Sequence, residues 1–124
     1  MKFLRYLNNQ VYKMIYVGVS SSDKKIATPL IDDLKTWGTL SLDRTDDWNI
    51  PIQTKIEAMK NSSVLIFFMI NGLLTYKNLF QEIGVGIGLG KPVIIYGPKG
   101  SFCFNPLYEL CIHMQEFYQL KEHL

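Results

Sequence analysis

The chain predicts an α/β fold, a flavodoxin-like or Rossmann-like three-layer sandwich around a parallel five-stranded sheet in the order 2-1-3-4-5. Three observations carry that expectation. Apolar runs alternate with stretches of helical period along the chain. One run, Val64 to Ile70, is apolar at every position, as a central parallel strand covered on both faces requires. A glycine-bearing segment over 79–89 then links that run to the next, Val93 to Tyr96, which is the pattern of a right-handed βαβ unit.

The elements follow in order. Residues 1–13 read as an N-terminal extension to a single domain over 14–124. Phe3, Leu4, Leu7 and Val11 have helical spacing, so a short amphipathic helix is expected there, covering a sheet edge or a partner. Met14 to Val19 is the first strand, and Met14 also reads as an alternative start. Gly18 and Ser20-Ser21-Ser22 follow, with Asp23 as the expected N-cap of a helix ending at Trp37. Its apolar face is expected from Ile26, Leu30, Ile31 and Leu34, Pro29 is tolerated if it falls in the first turn, and Gly38 stops the helix. Thr39 to Leu42 is a short strand near the sheet edge, and 43–49 is a polar loop. Ile50-Pro51 opens a helix with Ile52, Ile56 and Met59 on one face, ended by Asn61-Ser62-Ser63. After the central strand comes a loop over 71–77, then the glycine-bearing helix and the fourth strand. Cys111 to Met114 is a small edge strand, and a final helix is expected over 116–124.

Composition excludes several classes. A chain of 124 residues with 48% hydrophobic and 19% charged residues fits one globular domain. A net charge of +2 with scattered basic residues does not suggest nucleic acid. No apolar run approaches the roughly 20 residues that a membrane helix needs, and the polar turn at Asn8 does not fit a signal peptide. Cys103 and Cys111 match no metal or redox spacing and read as reduced thiols of a cytoplasmic protein. His113 and His123 have no ligand spacing and read as structural, so neither a metal nor a cofactor is expected.

The chemistry-bearing stretch is 78–92. One carboxylate, Glu82, stands among apolar and small residues, and glycines recur at 84, 86, 88 and 90 before Lys91-Pro92. Gly90 is a helix stop. Gly86 lies one turn after Glu82 on the same face, where a small residue either allows close packing on a strand or leaves room for a ligand. A carboxylate so placed is either beside room for a ligand or a solvated first-turn acid that favours the helix dipole. Tyr16, in an apolar strand, reads from its own neighbourhood as a core ring.

These residues resemble the nucleoside 2-deoxyribosyltransferase-like family, which carries Glu-x-Gly-x-Ala-x-x-x-Gly-Lys-Pro where this chain has Glu82, Gly84, Gly86 in place of Ala, Gly90, Lys91 and Pro92. The resemblance implies Glu82 as nucleophile, Tyr16 as the hydroxyl that orients it, and Gly18, Ser20, Ser21 and Ser22 as the loop holding a sugar or its 5′-phosphate. It also implies a homodimer, with Asn105 completing a neighbour's pocket. Two departures stand out. The family's aspartate in the helix before the third strand corresponds to Lys55, followed by Ser62-Ser63 in place of Ala-Asp. Its aspartate six residues before the glutamate corresponds to Tyr76. Asp46 or Asp47 is then the expected substitute carboxylate, and Asn71 and Tyr76 line the expected substrate loop. Ser21-Ser22-Asp23, Trp37-Gly38 and Lys77 to Ile83 are also similar to TIR domains, where the glutamate serves NAD cleavage or the domain assembles. The expected activity is therefore N-glycosidic bond transfer or hydrolysis on nucleosides or nucleoside 5′-monophosphates. A TIR-like domain and a non-catalytic nucleotide-binding protein are the alternatives.

Overall fold

The computed structural model describes residues 14–20, 22–42, 50–70, 77–97, 109–117 and 119–120, with the backbone alone at Lys77 and Asn78. Its sheet contains β1 (Met14–Val19), β2 (Thr39–Leu40), β3 (Val64–Phe68), β4 (Val93–Tyr96) and β5 (Ile112–Met114). Every pairing is parallel, and the order is β2-β1-β3-β4-β5, as the sequence predicts. Among the described residues the helices are α1 (Lys24–Trp37), α2 (Ile52–Lys60) and α3 (Lys77–Gly88). The terminal extension and residues 118 and 121–124 of the expected last helix lie outside the described residues; Gln119 and Leu120 within it have helical backbone, and Leu120 N–H donates to Phe117 O at 3.0 Å.

Strand alternation sorts the core into two faces. Ile15, Val17 and Val19 of β1 join Ile66, Phe68 and Ile94 against Ala27, Ile31 and Leu34 of α1. Tyr16 faces the other way, with Leu65, Phe67, Val93 and Ile95, against Ala58 and Met59 of α2 and Leu79 and Ile83 of α3. Register makes this second face the chemical one: Tyr16 stands opposite Leu65, and Gly18 opposite Phe67.

Helix phase departs from expectation in two places. In α1 the buried positions are Ala27, Ile31 and Leu34, while Ile26 is 49% exposed. Ala27 starts an i, i+4, i+7 stripe that a search for large residues overlooks. In α2 the buried positions are Ala58 and Met59, and Ile52 is 52% exposed. Pro29 sits in the second turn of α1, not the first, where its ring removes the N–H that would reach Lys25 O and costs about 3 kcal/mol in an ordinary helix. Packing of the buried stripe carries α1 through it.

Asp23 is fully buried and does not cap α1 with its side chain. Its carboxylate instead accepts the Ile70 N–H at 3.0 Å, so the turn after β1 is fastened to the segment leaving β3. Ser62 Oγ donates to Ala58 O at 2.7 Å, and Ser63 N–H donates to Met14 O at 2.9 Å, joining the end of α2 to the start of β1. Gly90 ends α3 at φ 74° in the left-handed region. Lys91 N–H then reaches Gly86 O at 3.2 Å and Gly90 N–H reaches Ile87 O at 3.0 Å, the paired bonds of a Schellman stop.

Candidate active site

Glu82 belongs to the second turn of α3, one turn deeper than the sequence suggests, because the helix is already formed at Lys77. It is 5% exposed, so the reading of it as a solvated first-turn acid is overturned. The helix lies across β1 so that successive turns meet successive residues of one strand face. Leu79 packs at Gly18, and Glu82 one turn on meets Tyr16. The Tyr16 hydroxyl donates to Glu82 Oε1. Tyr16 is itself buried, with its ring centroid 5.9 Å from that of Phe67. A rigid central strand thus aims a hydroxyl at a helical carboxylate 66 positions away in sequence.

The second carboxylate oxygen is engaged from α2. Lys55 Nζ lies 3.5 Å from Glu82 Oε2, with the two side chains 17% and 7% exposed. A buried carboxylate is costly unless paired and hydrogen-bonded, and here a phenol and an ammonium share that task. Sequence reasoning marked Lys55 only as the position of a missing aspartate. The signal that finds it is helical phase: Lys55 is three and four residues before the buried Ala58 and Met59, so it shares their face.

The other expected site residues divide. Gly18 lies inside β1 rather than in the loop, and the space a Cβ would need is taken by Phe67 and Leu79. Its role is close approach of α3 and β3, which is what lets Glu82 come down on Tyr16. Gly86 is likewise filled against, by Leu65 and by Val93 Cγ2 at 3.3 Å, so the packing reading of that glycine describes it rather than ligand room. Ser20 and Ser22 follow β1, their hydroxyl oxygens hydrogen-bonded at 2.8 Å. Asp23 N–H donates to Ser20 O at 3.0 Å, which closes the turn. Ser21, Asp46, Asp47, Asn71, Tyr76 and Asn105 lie outside the described residues. Farther along the same sheet edge, burial and then the Glu116 carboxylate push the Tyr96 hydroxyl above its ordinary range. Among the described residues no group of His, Cys, Asp and Glu is placed to hold a metal, and no helix is long and apolar enough to cross a membrane.

Strand order 2-1-3-4-5 with helices on both sides of the sheet gives the chain a nucleoside 2-deoxyribosyltransferase-like fold. Solved structures bear this out. The 2-deoxyribosyltransferase of the psychrotolerant bacterium Bacillus psychrosaccharolyticus is similar over 86% of this chain and 90% of its own, with a TM-score of 0.58 at 14% identity. The CMP N-glycosidase of Clostridium botulinum is similar over 87% of this chain and 96% of its own, with a TM-score of 0.52 at 16% identity. No protein-family model and no curated sequence matches the chain. At these identities the likeness establishes the fold.

Proposed function

We propose that this protein makes or breaks the N-glycosidic bond of nucleosides or nucleoside 5′-monophosphates, with Glu82 as the nucleophile. The observation that carries the proposal is the buried Glu82 carboxylate, oriented by the Tyr16 hydroxyl from the middle of the sheet. The fold shared with a deoxyribosyltransferase and a CMP N-glycosidase supports the same reading.

The chemistry runs in two displacements. Glu82 attacks C1′, the C1′–N bond breaks, and the base leaves with the bonding pair and takes up a proton. Water or a second base then attacks C1′ of the glycosyl ester and returns the carboxylate. Tyr16 fixes which oxygen lone pair is free to attack, a gain of the positioning kind. The Ser20 to Ser22 turn, with Ser21, is assigned the sugar or its phosphate, because hydroxyls and N–H groups at a helix start suit an anion. Asp46, Asp47, Asn71 and Tyr76 are assigned to the loops that close over the substrate. The protein works as a cytoplasmic homodimer, with no nucleic acid, membrane, metal or cofactor involved.

The test is chromatography after incubation, separately, with deoxynucleosides, deoxynucleoside monophosphates and NAD. Free base from the nucleosides or monophosphates, abolished by Glu82→Gln, is the expected result. Nicotinamide release would favour a TIR-like activity instead. The Lys55–Glu82 ion pair favours one further reading, a nucleotide-binding protein whose carboxylate is neutralised. Tight binding without product would establish that one.

A further inference from the structure

We propose that Lys55 is a second catalytic residue, which protonates the leaving base while Glu82 attacks the sugar. The inference rests on the nucleophile assigned to Glu82. Three facts carry it. Lys55 Nζ is 3.5 Å from Glu82 Oε2, which puts the ammonium beside the carboxylate that the sugar carbon must approach. Lys55 is mostly buried, on a helix face that also anchors the core through Met59. And the Tyr16 hydroxyl, the other donor on this carboxylate, is already committed to Oε1.

The proton balance closes. In the first step the Glu82 oxygen bonds C1′, the C1′–N pair moves to the base, and one ammonium proton passes to a ring nitrogen or carbonyl oxygen of that base. Lys55 becomes a neutral amine. In the second step water attacks C1′, the ester C1′–O pair returns to Glu82, and the water proton passes to Lys55. The two charges fall and return together. Forming the ester removes the anion that Lys55 is paired with, and a buried ammonium without a counter-charge is unfavourable. The event that consumes the carboxylate charge therefore drives the proton toward the base. A carboxylic acid at this position would give its proton from a neutral state, whereas a lysine gives it from a charged one that is coupled to the nucleophile.

Leaving groups separate this role from a structural one. A 2′-deoxy-N7-methylguanosine already carries positive charge on its base, which departs neutral and needs no proton. Wild type, Lys55→Met and Lys55→Arg are assayed on that nucleoside and on the unmethylated deoxynucleosides and monophosphates. Arginine keeps the positive charge but does not give up a proton, so it also decides the matter if the methionine variant fails to fold. Expected is a loss of about 10²–10⁴-fold for both variants on the unmethylated substrates, the usual worth of acid catalysis, against less than about tenfold on the methylated one. Equal slowing on both substrates, or full activity of Lys55→Arg on the unmethylated ones, overturns the role of Lys55 alone. If wild type releases no base from any of them, the nucleophile assignment falls and this inference falls with it.

Discussion

Tyr16 and Glu82 meet because each is held by something that cannot easily yield. Tyr16 is central in a strand paired on both sides, and its ring packs on Phe67. Removing only the hydroxyl, in Tyr16→Phe, keeps that packing and deprives Glu82 Oε1 of its donor. A buried acceptor stripped of its partner costs about 1–3 kcal/mol. The expected outcome is a loss of stability of that size, seen as a lowered thermal midpoint, together with a loss of base release of about tenfold or more. Thermal unfolding beside initial rates reads both; an unchanged rate with a lowered midpoint would reduce the hydroxyl to a structural partner. At Cys111 a pH effect follows from burial, which pushes the thiol up to about 11. In the unfolded chain a cysteine ionises near ~8.5. The folded protein therefore holds this proton more tightly, so the stability associated with it is complete below the unfolded value and is lost as pH rises from there toward about 11. Alkylation by iodoacetamide at pH 8, mapped by peptide mass, is expected to be slower at Cys111 in the folded protein than in urea.

At the scale of elements, the glycines around α3 differ in what surrounds them. Gly88 is exposed, and a Cβ there would meet no atom within 4 Å. Gly88→Ala removes only the entropic penalty of glycine in a helix, so a gain of about 0.8–1 kcal/mol is expected. Gly97, just past β4, is the opposite case. A Cβ there would run into the Met69 carbonyl, which is backbone and cannot swing aside, and Gly97 N–H is tied to Met114 O at 3.1 Å. Gly97→Ala is expected to lose about 1–3 kcal/mol, the usual cost of overpacking, or more. Denaturant midpoints of the two variants should move in opposite directions. Sequence alone shows four glycines in alternation and does not tell which of them touch strands. That depends on the crossing of α3 over β1 and β3, set by partners distant in sequence.

For the whole molecule, topology was legible because it rests on local signals: a fully apolar β3, short apolar runs at β1 and β4, and helical periods between them. The candidate site was half legible. Glu82 and Tyr16 announce themselves by type and neighbourhood and Lys55 by the phase of α2 alone, whereas Asp23 acts through a long-range contact that no local pattern encodes. Asp23 looks like a helix cap in sequence and is one only by position; its carboxylate works across the sheet on Ile70. The same division between interior and edge governs how the structure opens. β1, β3 and β4 each have a strand on both sides, and the buried clusters on the two faces of the sheet close over them. β2 is two residues long and β5 three, at the outer positions. Local opening takes place where few buried contacts must be broken. Hydrogen exchange should therefore rank Val17, Ile66 and Ile95 near the global unfolding limit, with Leu40 and His113 exchanging through cheaper openings. The Ile70 amide is the discriminating one. It lies beyond the end of β3, where an amide without a partner would exchange quickly, yet it donates to the fully buried Asp23. Protection at Ile70 comparable to the central strands, lost in Asp23→Ala and largely kept in Asp23→Asn because the amide oxygen still accepts, would establish that the two segments leaving β1 and β3 open as one unit. Fast exchange at Ile70 in the wild type would mean that the segments move separately, leaving the site held by Tyr16 and Lys55 alone.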